Sequence, residues 1–213
     1  GQCIISLHAP NEQLLTEYLL LHTETVVDHF NQAERNRWIQ ALNEDYSLSV
    51  EATMRSQFGY SLHVPRDLRV GKVADQFMWA SNNANRGRMD LIAYTFPYTT
   101  QEAFSEVYLV AMRDSVLRQH VPGSFPGSCM QTERRFGLSY LPIQSQDDYC
   151  GMLRGLWRVE GDMMGGPFVS LARLDPSRRR MIVVESFVYA PESKKANLIR
   201  RMEAALYTLR FND

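Results

Sequence analysis

The chain has 213 residues, 45% of them hydrophobic and 22% charged, with 23 basic and 24 acidic side chains and a net charge of −1. That balance is ordinary for a globular protein and gives no global electrostatic drive towards nucleic acid or an anionic membrane surface. The length suits one large domain or a domain with an extension, and no apolar run approaches the ~20 residues that span a bilayer.

In chain order, Cys3-Ile4-Ile5-Ser6-Leu7 reads as a strand ended by Ala9-Pro10. Asn11 then caps a long helix in which Leu14, Leu15, Tyr18, Leu19, Leu21, Val26, Val27, Phe30, Trp38, Ile39 and Leu42 recur at helical spacing. A second helix over 49–58 places Val50, Met54 and Phe58 on one face, with Gly59 as its C-terminal cap. Residues 60–65 alternate as a half-buried strand, and 67–73 and 76–80 are short extended pieces. The polar stretch 81–87 is a turn, and 90–96 is a strand broken by Pro97. Thr99 or Thr100 opens a helix with Phe104, Val107, Tyr108, Ala111, Met112 and Val116 as its apolar stripe.

The clearest loop is 120–128, with two Pro-Gly pairs around Phe125. Residues 129–141 are extended or ambiguous, and three strands follow at about 149–160, 167–175 and 180–189. Asp175-Pro176-Ser177 makes a turn, and Pro191 with Glu192 opens a final helix buried through Leu198, Ile199, Met202, Ala205, Leu206 and Leu209. The segment around Pro10 echoes that around Pro97, strand to proline to capped helix, so a duplicated module is one reading.

One hairpin stands apart. Trp157 and Val159 alternate with Arg158 and Glu160, then Gly161-Asp162-Met163-Met164-Gly165-Gly166-Pro167 turns the chain with two methionines at its tip. With Trp79 and Phe125, the residues Trp157, Arg158, Asp162, Met163 and Met164 form the candidate binding surface, an apolar patch for a protein, a lipid or a glycan. The alternative is that both tryptophans are core residues and the methionines pack beneath the loop. Arg158 and Glu160 could share a face as a surface ion pair.

Read in order, the second half runs from a strand ending in Val64-Pro65 to a closing helix after Tyr189-Ala190-Pro191-Glu192. It resembles the PsbP-like α/β/α sandwich, which implies an α+β fold with a mostly antiparallel sheet flanked by helices. The N-terminal strand and long helix (residues 1–58) would dock on the same globule as residues 59–213. FGYSLHVP, YTFPYT, RDSVL, VPGS, RGLWRVEGDMMGGPFVS and VVESFVYAP together are similar to a Bacteroidetes family of predicted lipoproteins of unknown function. That resemblance implies a lipid-anchored protein of the cell envelope (periplasm or outer membrane), and it implies no activity. The lipobox such proteins carry is missing here, and the opening Gly1-Gln2-Cys3 suggests a piece of something longer.

Chemistry-bearing patterns are sparse. Cys3, Cys129 and Cys150 form no CxxC pair; Cys129 and Cys150 are either a disulfide or thiols. His8, His22, His29, His63 and His120 sit in no nucleophile signature, and His22 and His29 lie about 10 Å apart along one helix face, too far to share an ion. His63 reads as an exposed strand residue, and His120 as a cation favoured by a helix C-terminus. The glycine-rich turn lacks a P-loop lysine and precedes a strand, which argues against phosphate binding. Arg86 and Arg88 near Trp79 and Tyr94 superficially suit nucleic acid; with net charge near zero they read better as a turn. Asp147-Asp148 and Glu44-Asp45 read as solvent-facing turns, and Arg178-Arg179-Arg180 and the Lys194-Lys195 to Arg200-Arg201 segment as solvated basic surfaces.

The leading expectation is a non-enzymatic envelope protein that binds a partner through this hairpin, with no metal, no cofactor and no nucleic acid. A hydrolase whose concave pocket joins a thiol (Cys129 or Cys150) or a carboxylate to a histidine, or a structural component of an envelope complex, stands as the alternative.

Overall fold

The computed structural model describes residues 2–145, 148–175 and 179–212. The first helix, α1 (Glu12–Glu44), begins where the Asn11 side chain accepts the Leu14 N–H at 2.9 Å, and kinks at His22. Residues 2–9 before it form no regular structure, contrary to the strand reading of Cys3 to Leu7. Alternation alone does not make a strand: the backbone N–H and C=O groups need a neighbour, and no described strand pairs with this segment. The echo around Pro10 and Pro97 therefore holds for the helices and fails for the strands.

The second helix, α2 (Leu48–Phe58), follows the sequence closely. Ser47 caps it, Val50, Met54 and Phe58 are wholly buried, and Gly59 closes it in the left-handed region at φ 77°. Strand β1 (Tyr60–Ser61) is far shorter than the run expected over 60–65. The chain leaves its partner after two pairs, and the backbone beyond finds other partners: the His63 N–H goes to Thr208 Oγ1 at 2.9 Å and the Val64 carbonyl to Ser47 N–H at 3.0 Å. Leu62 and Val64 are nonetheless fully buried.

The main sheet is antiparallel and eight-stranded. It runs through β2 (Arg69–Ala74), β3 (Phe77–Ser81), β4 (Arg88–Pro97), β9 (Arg180–Tyr189), β8 (Gly165–Asp175) and β7 (Asp148–Val159). The far edge of β7 is shared by β6 (Ser139–Ser145) and β5 (Met130–Glu133), which pair with its first and last portions. A short strand β10 (Arg210–Phe211) pairs separately with β1. The turn residues Pro176, Ser177 and Arg178, with Asp147 and Gly1, lie outside the described residues.

Helices cover both faces. On one, α2, the end of α1 and α4 (Ala196–Leu206) bury Met78, Leu91, Val169, Val184 and Met202 between them and the sheet. On the other, α3 (Glu106–His120) covers Ile92, Tyr94, Leu153, Phe168 and Val183. The fold is the α+β sandwich that the order of elements implies.

Three details differ from the sequence reading. A single 3-10 turn (Gln101–Phe104) follows Thr100, and it is Ser105 whose side chain caps α3 by accepting the Tyr108 N–H. The face of α3 buried on the sheet is Leu109, Val110, Arg113 and Leu117, while Val107 is 80% exposed and Ala111 is exposed. Reading polarity as exposure set the stripe out of phase, because Arg113 goes inward. Helix α4 starts at Ala196; Pro191 and Glu192 belong to a turn closed by Ser193 N–H on the Ala190 carbonyl.

Candidate functional site

Period-two geometry places Arg88 and Asp90 of β4, Trp79 of β3, Phe187 and Tyr189 of β9, Gly166 of β8, and Trp157 and Val159 of β7 on the α3 side of the sheet. Helix α3 ends at His120, short of this end of the sheet, so the last rows of side chains are left uncovered by helix. The following loop, Val121 to Ser124, forms a second wall. Between them lies a cleft of about 220 Å³ lined by Trp79, Trp157, Phe187, Tyr189, Met164 and Met130, with Arg88 and Asp90 at one side. That is room for one ring-sized group, below the range of drug-sized ligand sites.

The aromatic wall is internally packed. Trp157 meets Phe187 edge to face with centroids 5.7 Å apart and Tyr189 at 6.1 Å, and Trp79 lies 6.4 Å from Phe187. Gly166 makes the notch that seats Trp157: a Cβ there would stand 3.1 Å from the indole nitrogen and 2.1 Å from the Val188 carbonyl oxygen. Trp157 is buried, and its Nε1–H has no hydrogen-bond partner among the described residues.

Asp90 is fully buried. Its Oδ1 accepts from Trp79 Nε1 at 2.9 Å and from Arg88 Nε and Nη2 at 3.1 and 2.9 Å. Its Oδ2 has no partner among the described residues. Burial raises its pKa, opposed first by Arg88 and then by Trp79 and Ser81.

One register step inward, the sheet holds a buried ion pair that sequence reasoning missed. Arg113 is 1% exposed and grips Glu185 with two bonds, Nε to Oε2 and Nη2 to Oε1, both 2.8 Å. Its third branch donates to Thr132 Oγ1 at 2.8 Å, and that hydroxyl donates to Asp114 at 2.7 Å. The guanidinium lies 3.7 Å above the Phe168 ring. Burial raises the pKa of Glu185 against the pull of Arg113, whereas hydrogen bonds from Thr132 and Arg134 carry Asp114 below the usual range despite burial. This network ties α3 to β5 and β9 beneath the cleft.

Of the residues singled out in sequence, Trp79, Trp157 and Met164 meet in the cleft. Met163 projects from the turn fully exposed (101%), and Phe125 is 57% exposed on the loop that continues from Ser124. Arg158 faces away and approaches Glu133 at 3.7 Å, so the expected pairing with Glu160 gives way to one with β5. Arg135 is the closer partner of Glu133 and holds its pKa down to about 2. Asp162 accepts from the Met163 N–H at 2.6 Å within the turn and does not line the cleft. The members that sequence reading left out are Asp90, Met130, Phe187 and Tyr189. The spacing of Arg88 and Asp90, and of Phe187 and Tyr189, two apart on strands, was the available signal.

The histidine and cysteine candidates lie elsewhere. His63 is half-buried, stacked on Tyr46 at 3.9 Å and bonded through Nδ1 to Asn43 Oδ1 at 2.8 Å. His120 stacks on Phe77 at 4.0 Å, and burial lowers its pKa, with Lys72 adding to the effect. Lys72 adds a cation at this helix end, its Nζ donating to the His120 carbonyl at 2.8 Å. Cys129 and Cys150 are thiols, with no disulfide between them. Among the described residues no three His, Cys, Asp or Glu side chains gather closely enough to hold a metal ion. No described helix is long and apolar enough to cross a membrane.

A second groove, about 650 Å³, lies between α1 and α4. Its charges face one another: Arg154 with Glu203 at 2.5 Å, Arg200 with Glu34 at 3.5 Å, and Arg35 over the Tyr207 ring at 4.4 Å.

The sequence profile of DUF4837, a domain of unknown function, matches residues 47–208. The chain belongs to this family. The DUF4837 region begins with the Ser47 cap of α2 and spans the whole main sheet, the cleft and α4; α1 lies before it. No curated protein matches the chain. Among solved structures, it is similar to the Saccharomyces cerevisiae Ran-binding protein Mog1p, with 9% identity and a TM-score of 0.46 over 73% of this chain and 91% of that one. A Mog1 mutant gives 10% identity and a TM-score of 0.41, over 73% and 92% of the two chains. A Bacteroides thetaiotaomicron protein gives 12% and 0.33, over 73% of this chain and 46% of that one.

Proposed function

We propose that this DUF4837 domain is a binding module whose working site is the aromatic cleft beside the 160–164 turn. The observation that carries the reading is convergence: Trp79, Trp157, Phe187, Tyr189 and Met164 come from three strands and one turn to line a single concavity. The exposed Met163 and Phe125 extend the apolar surface beyond it, in positions to meet a larger partner that inserts one ring. Neither histidine nor cysteine lines the cleft, and its one carboxylate is tied to Arg88 and Trp79. Its chemistry favours holding a group over transforming it.

The test is an NMR titration of uniformly labelled protein with benzyl alcohol as a ring-sized probe. Saturable shifts clustered on the Trp79 and Trp157 indole resonances, and lost in Met164→Glu, are the expected result. Shifts scattered over the surface would remove the cleft as the site.

The proposal also places the protein at the cell envelope through an N-terminal lipid. The support is the resemblance of segments such as RGLWRVEGDMMGGPFVS to predicted lipoproteins. Labelled fatty acid incorporated by the full-length protein, and its recovery in the membrane fraction, are expected; an unlabelled soluble protein would refute the placement.

A further inference from the structure

Independently of the cleft, we infer that α1 pairs two copies of this chain antiparallel, the first turns of each seated at the α1–α4 groove of the other. Residues 12–30 of α1 project from the sandwich and are apolar on more than one side. Leu14, Tyr18 and Leu21 recur at helical spacing as one stripe, and Leu20 and Val27, two turns apart, form a second. With Leu19 and Phe30 they are 38–80% exposed. A helix apolar on several sides belongs between neighbours, and the described part of the sandwich leaves these side chains uncovered. The DUF4837 region begins at residue 47, after α1, and none of the seven joins either core cluster. Together they expose roughly the 800 Å² that one partner buries in a stable interface.

Charge selects the occupant. Between Glu12 and Glu34 the helix carries Glu17, Glu24 and Asp28 and no lysine or arginine. Helices that lie on anionic membranes are rich in both, so a lipid surface is a poor fit. Arg35 and Arg37 follow at once, and Arg201 of α4 lies 5.5 Å over the Trp38 ring. Among the described residues, neither the four carboxylates of residues 12–28 nor Arg35, Arg37 and Arg201 enter an ion pair. One part of α1 is therefore acidic and the next basic, and neither is answered by an opposite charge. Two parallel copies would set like charge against like. Two antiparallel copies set Glu12 and Glu17 of each against Arg35 and Arg37 of the other, with opposed helix dipoles and a two-fold axis near Glu24. That self-complementarity selects a second copy over an unrelated partner.

The groove completes the fit. It lies beside residues 28–38 of α1, where an antiparallel partner brings its first turns. Leu141, which is exposed, and Ile143 of β6 line it together with Trp38. Two stripes thus find two walls: one meets the partner's α1, the other this edge of β6. Arg154 with Glu203 and Arg200 with Glu34 already cancel, which leaves Arg35 as the groove's uncommitted cation. Helices α1 and α4 cover the sheet face opposite α3, so pairing there keeps both aromatic clefts open.

The experiment is sedimentation velocity on the full chain, from low to high micromolar concentration. A monomer–dimer equilibrium is expected, and Leu20→Glu with Leu21→Glu should weaken it by about tenfold or more. Glu12→Arg and Arg37→Glu should each weaken it about three- to tenfold, since every pair occurs twice about the axis; combined, they should restore it. All four side chains are exposed, so the monomer's fold does not depend on them. At dilutions where the copies are apart, wild type, these variants and a chain lacking residues 2–30 should unfold together. A monomer at every concentration overturns the proposal, and so does a dimer indifferent to the leucine changes. Single charge reversals without effect, or a double reversal that fails to restore the dimer, overturn the antiparallel arrangement. Monomer that instead co-sediments with phosphatidylglycerol vesicles overturns it in favour of a lipid surface.

Discussion

Arg113 shows how a single side chain can reverse the reading of a helix. Its charge is removed from water and answered by two bonds that it donates to Glu185, one to Thr132, and the ring of Phe168. Desolvating such a pair consumes most of its attraction, so its worth to stability is small while its dependence on both partners is large. Glu185→Gln should therefore destabilise the fold by about 3–5 kcal/mol, because it leaves the buried guanidinium only the more distant Asp114, 3.7 Å away, as counter-charge. The double change Arg113→Met with Glu185→Leu should recover most of that loss in urea unfolding. If the single variant costs no more than a surface substitution, the pair is not the anchor described here. His63 and His120 act through pH. Both have pKa values lowered by burial, so the unfolded chain takes up protons near 6.5 before the native state does. Their contribution to stability is present above pH 6.5 and is lost as pH falls towards their native values. The melting temperature should drop between pH 7 and 5, and His120→Phe, which keeps the stack on Phe77, should flatten that slope. A slope unchanged by the variant would assign it to other groups.

Among the elements, helix α2 and the β7–β8 hairpin were legible because each is governed by its own residues. Val50, Met54 and Phe58 recur every four positions, and Gly59 supplies the positive φ that ends the helix. Gly59→Ala should cost about 1 kcal/mol for the left-handed conformation alone, measured by denaturant unfolding. The hairpin was marked by alternation and a glycine-rich turn, yet which of its residues line the cleft depended on neighbours. Gly166 is the element-level control. Its missing side chain lets the Trp157 indole and the Val188 carbonyl come close. Gly166→Ala should cost about 1–3 kcal/mol as an overpacked site and shift the Trp157 fluorescence. A variant as stable as wild type, with unchanged emission, would show that the notch has no such role. Strand β1 and the segment 2–9 failed as sequence readings for one reason: pairing is a property of two strands, and neither run has enough neighbour to pair with.

At the scale of the molecule, α1 divides into two parts. Its last turns dock through Leu42, Trp38 and Arg35 beside α4, while Leu14, Tyr18, Leu20, Leu21, Val27 and Phe30 are exposed. Since the projecting turns bury little against the sandwich, a chain lacking residues 2–30 should unfold within about 0.5 kcal/mol of the intact one. A larger loss would mean that the projecting turns support the fold. Most strands of the main sheet and the apolar faces of α2 and α4 were determined by the sequence itself, because hydrophobic period and turn chemistry act over a few neighbouring residues; the α/β/α layering was legible only through the resemblance to a known fold. The phase of α3, the burial of Arg113 and the meeting of Trp79, Asp90, Trp157 and Phe187 were decided only by tertiary structure. These depend on register across strands up to a hundred residues apart, and on where α3 stops and leaves the end of the sheet face uncovered by helix.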